Sequence, residues 1–261
     1  MIDRYMKMLR KLDRPPAGPN WVRFIRDDPA RTAKAILAFA KGQPRFNYQP
    51  AYSAIKDRIE LAISRETAVR IASERGSPAG RVQNKEFVEA FFEYDEKRKY
   101  AASNPIEFET EFFRVSREVL IPIAPLSIIR ERGQFVPIFV CGWNSNPLVT
   151  TQRRLLMTIY EDAFLSLTDY QNSPAEILFF PKADDGDDGD GPRREPEVWR
   201  RGDYALLTKA ELDQCVEIFV SARETARQVL LKDIERMRKE AEKEKPSPDD
   251  GGDKPDLFPK K

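Results

Sequence analysis

The residue pattern predicts an α+β fold: a small, mainly antiparallel sheet flanked by helices, with a helical N-terminal part and a disordered C-terminal tail. Three observations lead there. Apolar residues recur at helical spacing before residue 100 and again after residue 148. Between these stretches the chain becomes dense in Val, Ile and Phe and reverses at "RERGQ", the pattern of a β-hairpin. The order helices, hairpin, helix, strand, long helix gives a small sheet with helices packed on it rather than a regular alternation of strand and helix.

The elements follow in order. Pro15, Pro16 and Pro19 break an opening helix. "DPARTAKAILAFAKG" reads as a short helix closed by Gly42. From Tyr52 to about Ser73 the pattern is helical, with Ile55, Ile59, Ala62, Ile63 and Val69 on one face. A further helix is expected from Gln83 to Lys99, with Phe87, Phe91 and Tyr94 on its apolar side. "FRVSREVLIPIAPLSII" and "FVPIFVCGW" form the two arms of the hairpin. Pro122, Pro125 and Pro137 lie within these arms, and a proline cannot donate to a ladder, so they must sit at edges, bulges or strand ends. Residues 148–167 are helical again, with Leu155, Leu156, Ile159, Ala163 and Leu167 on one face and Gln152 among them. "AEILFFP" is a short apolar strand. The last helix opens on a capping box, Thr208-x-x-Glu211, whose side chains satisfy two orphan amides. Its stripe runs Leu212, Cys215, Val216, Phe219, Ala226, Leu230, Ile234 and Met237. From about residue 243 the chain is poor in apolar groups and carries prolines and glycines, a disordered composition. Three segments result: a basic helical one over 1–50, an α+β domain over 51–242 and the tail over 243–261.

Composition limits the chemistry. The 261 residues suffice for one sizeable core, and a net charge of +1 argues against a nucleic-acid or membrane footprint over the whole surface. No apolar run approaches the roughly 20 residues that span a bilayer, and "MIDRYMKMLRKLDRPP" has no apolar leader core, so a cytoplasmic location and no membrane are expected. Histidine is absent, which excludes Ser–His and Cys–His nucleophile systems and the commonest transition-metal ligand. The two cysteines, Cys141 and Cys215, are far apart in apolar surroundings and read as buried reduced thiols.

The order helix, two or three antiparallel strands, helix, strand over residues 83–182 resembles the PD-(D/E)XK nuclease-like fold. The resemblance implies a metal site: an acid near the start of one strand, then an acid, one spacer and a lysine on the next, holding magnesium. Here "IPIAPLSII" has no acid and "FVPIFVCGW" has neither acid nor lysine. Some members add a glutamine in the following helix, as Q-x-x-x-Y. Gln152 stands there, with Leu156 in place of the tyrosine. The expectation is therefore a protein with no catalytic residue, no metal and no cofactor. Gln152 is a candidate nucleic-acid contact, weighed against a plain hydrogen bond to the backbone of the neighbouring strand.

Other features each have a functional and a plain reading. "DDGDDGDGPRRE" matches a calcium loop at Asp184, Asp188, Gly189 and Glu195, fails it at Gly186, Gly191 and Pro192, and reads as a solvated loop between two strands. Residues 1–45 hold 11 Lys/Arg against 4 Asp/Glu, with Trp21 and Phe24, Phe39 and then Phe46 and Tyr48 interleaved. Such a segment suits single-stranded nucleic acid, or equally a helical core with a solvated face. Asp256, Leu257 and Phe258 resemble the end of the bacterial sliding-clamp-binding pentapeptide Q-L-(S/D)-L-F, although Lys254 and Pro255 depart from it, and are a candidate protein-binding peptide. The leading expectation is a non-catalytic interaction or accessory protein of nucleic-acid metabolism. The alternatives are a metal-dependent nuclease with a non-standard acidic site drawn from Glu107, Glu109, Glu111 and Glu118, and a structural or toxin–antitoxin-type binding protein.

Overall fold

The computed structural model describes residues 2–101, 105–183 and 194–243. The clamp-like peptide Asp256–Leu257–Phe258 and the calcium-loop positions Asp184, Asp188 and Gly189 lie outside the described residues, as does nearly all of the tail.

The N-terminal third is helical: α1 (Ile2–Asp13), α2 (Gly18–Val22), α3 (Pro29–Lys41), α4 (Gln49–Leu61), α5 (Arg65–Glu74) and α6 (Arg81–Arg98). Local chemistry sets the ends. Asp28 caps α3 by accepting from Arg31 N at 2.8 Å, Pro29 sits in its first turn and Gly42 follows its end. The single helix expected over 52–73 is two. Ala62 takes a left-handed φ of 55°, which stops α4, and Ser64 starts α5 by accepting from Thr67 N at 3.2 Å. The hydrophobic stripe continues through the break, which is why periodicity alone hides it.

The strands are β1 (Glu111–Arg114), β2 (Leu120–Ile123), β3 (Ser127–Glu131), β4 (Gln134–Cys141), β5 (Glu176–Phe179) and β6 (Glu197–Arg200); α7 (Thr150–Tyr160) lies between β4 and β5, and α8 (Lys209–Lys243) closes the chain. The arm expected over 113–129 is divided. β1 and β2 make their own antiparallel hairpin, turning where Val115 N and Ser116 N donate to Val119 O. β3 then pairs with β4 across the expected turn. The main sheet has the order β3-β4-β5-β6, with β4 and β5 parallel and the other pairs antiparallel. Pro137 lies within β4, but the register with β5 begins one residue later at Ile138, so its missing N–H leaves no β5 carbonyl unmet. Pro122 lies in the two-stranded ribbon and Pro125 between β2 and β3.

Alternation along the strands builds two cores. On one face Phe139, Ile177 and Trp199 stand side by side across three strands and meet Leu9, Trp21, Ile36, Leu156 and Phe219 from α1, α2, α3, α7 and α8. On the other, Val140, Leu178 and Val198 meet the layer of α4, α5 and α6, including Ile55, Ala68, Phe87 and Phe91. Each large side chain buried this way contributes about 1.5–3 kcal/mol relative to exposure. The sheet is thus the middle of three layers, and both faces of β4 are hydrocarbon. The basic N-terminal helices belong to the first core and lie against the last helix, where Arg223 donates to Leu12 O at 2.9 Å and to Asp13 at 2.6 Å. Among the described residues no helix is long and apolar enough to cross a membrane.

Candidate functional site

The acids weighed from the sequence are placed as follows. Glu111 is half-buried in β1, Glu107 and Glu109 are exposed ahead of it, and Glu118 is exposed in the turn before β2. Among the described residues no three Asp, Glu or Cys side chains come together as a ligand set. The carboxylates that are gathered serve ion pairs. Arg98 joins Glu131 at 2.7 Å to Glu176 at 2.8 Å, and these two carboxylates hold its guanidinium charged. Tyr94 donates to Glu176, as does Tyr100 through a short contact; burial first, then the Glu176 charge, raises the phenol pKa of both. Asp95, buried against Arg58 at 2.7 Å, also accepts from Tyr100 N at 2.8 Å. These groups tie α6 to the sheet and the α4 end to α6.

Gln152 sits in the first turn of α7, with only 3% of its surface exposed. Its Oε1 accepts from Val149 N at 3.1 Å, while its Nε2 donates to Ile25 O at 2.8 Å and Val22 O at 3.3 Å. The partners are the end of α2 and the loop after it, not the neighbouring strand. The amide closes the start of its own helix, where Val149 offers no acceptor, and fastens that helix to the N-terminal layer. Left unmet, such a buried group would cost roughly 1–3 kcal/mol.

Beside Gln152 lies a cavity of about 300 Å³ between the α2–α3 loop, the first turns of α7 and the first turns of α8. Its floor is apolar, with Ile25, Leu155, Leu207 and Cys215 all buried. Its rim is polar. Arg154 grips Glu211 with two bonds of 3.0 Å and also donates to Ala205 O and Leu206 O. Those bonds, together with the Thr208 amide and hydroxyl, push the Glu211 carboxyl down to about 2. Burial pushes the Cys215 thiol up, so it is a poor nucleophile at neutral pH; Cys141, fully enclosed in the core, is pushed up to about 12. Both cysteines are free and buried.

The rings of the basic N-terminal part turn inward. Trp21 is fully buried against Phe113 and Phe219, and Phe24 packs on Phe39 with centroids 5.0 Å apart. Phe46 packs on Tyr48, whose hydroxyl meets Asn144 at 2.7 Å and Arg194 at 2.8 Å beyond the carboxyl ends of β4 and β5. The charges turn outward. Lys11 binds Ala40 O and Gly42 O at the end of α3, a cation where that helix leaves carbonyls unmet. The side chains of Arg4, Lys7, Arg10 and Arg14 are exposed and have no hydrogen bond or ion pair to any described residue. At 100° per residue Arg4, Lys7 and Arg10 share an arc of about 120°, opposite buried Met8, Leu9 and Leu12, with Asp3 as the acid among them, and Arg14 follows just past the helix end.

Sequence reasoning singled out Gln152 and Glu211 but missed Arg154 and Arg26 on the same cavity. The capping box exposed one end of the Arg154–Glu211 pair, whereas a partner 57 residues away leaves no local signal. No protein-family model, curated protein or solved structure matches the chain.

Proposed function

We propose that this protein is a non-catalytic accessory module that binds nucleic acid through the phosphate backbone, along the outer face of α1. The observation that carries this reading is the row Arg4, Lys7, Arg10 and Arg14: four cations spread over about 15 Å along α1 and just past its end, exposed and engaged by no described residue. Trp21 is buried and the half-buried Phe24 and Phe39 pack on each other, which favours sequence-independent contact over single-strand recognition on this face. A helix α6, antiparallel strands ending in the β3–β4 hairpin, helix α7 and strand β5 follow in the order of the nuclease-like resemblance, with the β1–β2 ribbon inserted after α6, and a β4 with no acid or lysine supports a version of it without a metal centre. A cytoplasmic location belongs to this reading, and two unpaired thiols support it. The peptide Asp256–Leu257–Phe258 adds a protein contact to it, most simply a sliding clamp.

Fluorescence anisotropy with duplex DNA at several salt concentrations tests the phosphate contact. Log affinity should fall steeply with log salt, and changing Arg4, Lys7, Arg10 and Arg14 together to Gln should flatten that slope by roughly 3–4, near 0.9 per lost phosphate contact. The same slope in the variant, or no binding by the native protein, would refute the reading.

A further inference from the structure

We propose that the cavity beside Gln152 is a binding site for a small aliphatic carboxylate, a function separate from the α1 surface. At about 300 Å³ it has room for roughly ten waters, or for a ligand of about that many heavy atoms, and stands at the lower end of small-molecule pockets. Ile25, Leu155, Leu207 and Ile218 offer branched aliphatic walls and no aromatic ring lines the space, so it suits an alkyl chain. Covering such a wall with apolar surface is favourable because it removes both from water.

The charge at the mouth selects the head group. Four charged residues line the cavity: Arg26, Asp27, Arg154 and Glu211. Arg154 and Glu211 neutralise each other through two hydrogen bonds. Asp27 lies 3.8 Å from Arg31, and its side chain is 97% exposed, turned to water. The Arg26 guanidinium is left uncompensated, with no hydrogen bond or ion pair to any described residue. Thr151 and Gln214, both exposed at the rim, have side chains bonded to no described residue and can complete a carboxylate's hydrogen bonds. An anion over an apolar chain therefore satisfies wall and mouth together, whereas an amine would place its charge against Arg26.

Octanoate, octanol and octylamine, titrated into the full chain by calorimetry, separate these terms. Octanoate should bind one to one, at least tenfold tighter than octanol, with octylamine weakest. Arg26→Gln should bring octanoate down to the octanol level without changing octanol. Gln214→Trp, on an exposed position of α8, should plug the mouth and remove both. Cys215 on the cavity floor provides an independent readout in the native protein: at alkaline pH, where a thiol raised by burial ionises, octanoate should slow its alkylation by iodoacetamide. Non-saturating or absent binding, an affinity for octylamine equal to that for octanoate, or unchanged Cys215 alkylation under saturating octanoate would each overturn the proposal.

Discussion

Glu211 serves two partners at once. It completes the capping box of α8, accepting from Thr208 N at 2.7 Å, and holds Arg154 from α7, so one carboxylate both starts the last helix and fastens it to the helix beneath. The sign of its pH effect follows. Its folded pKa lies below the ordinary carboxylate value, so it contributes stability above about pH 4.5 that is lost as the pH falls from there toward about 2. Urea unfolding of the native protein and of Glu211→Gln should differ most near pH 6, and the gap should shrink steadily below pH 4.5; a constant gap would mean the charge is not what matters. At this scale the sequence is a partial guide. The capping box is written in four consecutive residues and is found where expected. That a buried Gln152 must find partners also follows from its chemistry. Which carbonyls it finds depends on α2 arriving from 127 and 130 residues away, and no local pattern carries that.

Elements were legible where punctuation is strong and hidden where an apolar run covers a turn. The β3–β4 turn is marked by Gly133, and both central residues have positive φ: Arg132 at 50° and Gly133 at 84°, the geometry whose twist matches a hairpin. Arg132 is the strained member, since a non-glycine side chain is disfavoured there. Arg132→Asn should raise the urea midpoint by an amount equivalent to about 0.5 kcal/mol, and Gly133→Ala should lower it by about 1 kcal/mol. The β1–β2 turn escaped notice because Ser116, Arg117 and Glu118 include neither glycine nor proline. The helix over 148–167 escaped in another way. After Tyr160 it continues as a π-turn, Glu161–Leu165, whose wider spacing brings Phe164 and Leu165 into the core and leaves Leu167 37% exposed, although a uniform 3.6-residue count had placed Leu167 inside.

Across the whole molecule, the sheet belongs to two interiors, and β4 contributes to both. Loss of either helical layer would expose one face of the same strands, so the layers should unfold together. The three tryptophans, Trp21, Trp143 and Trp199, all report on the first core, while far-ultraviolet circular dichroism also counts the helices of the second. Urea curves from the two probes should coincide; a dichroism loss preceding the fluorescence change would show α4–α6 leaving on their own. The α+β class was legible from periodicity, but the three-layer order was not, because it depends on which face of each strand meets which helix. The packing of α1 and α3 on α8 has a further consequence for synthesis. Leu12 and Arg223 are 211 residues apart, an interval of roughly 10–40 s on a ribosome adding 5–20 residues per second. For that time the sides of α1 and α3 that face α8 have no α8 to pack on, so the nascent chain must be shielded by a chaperone or shield itself.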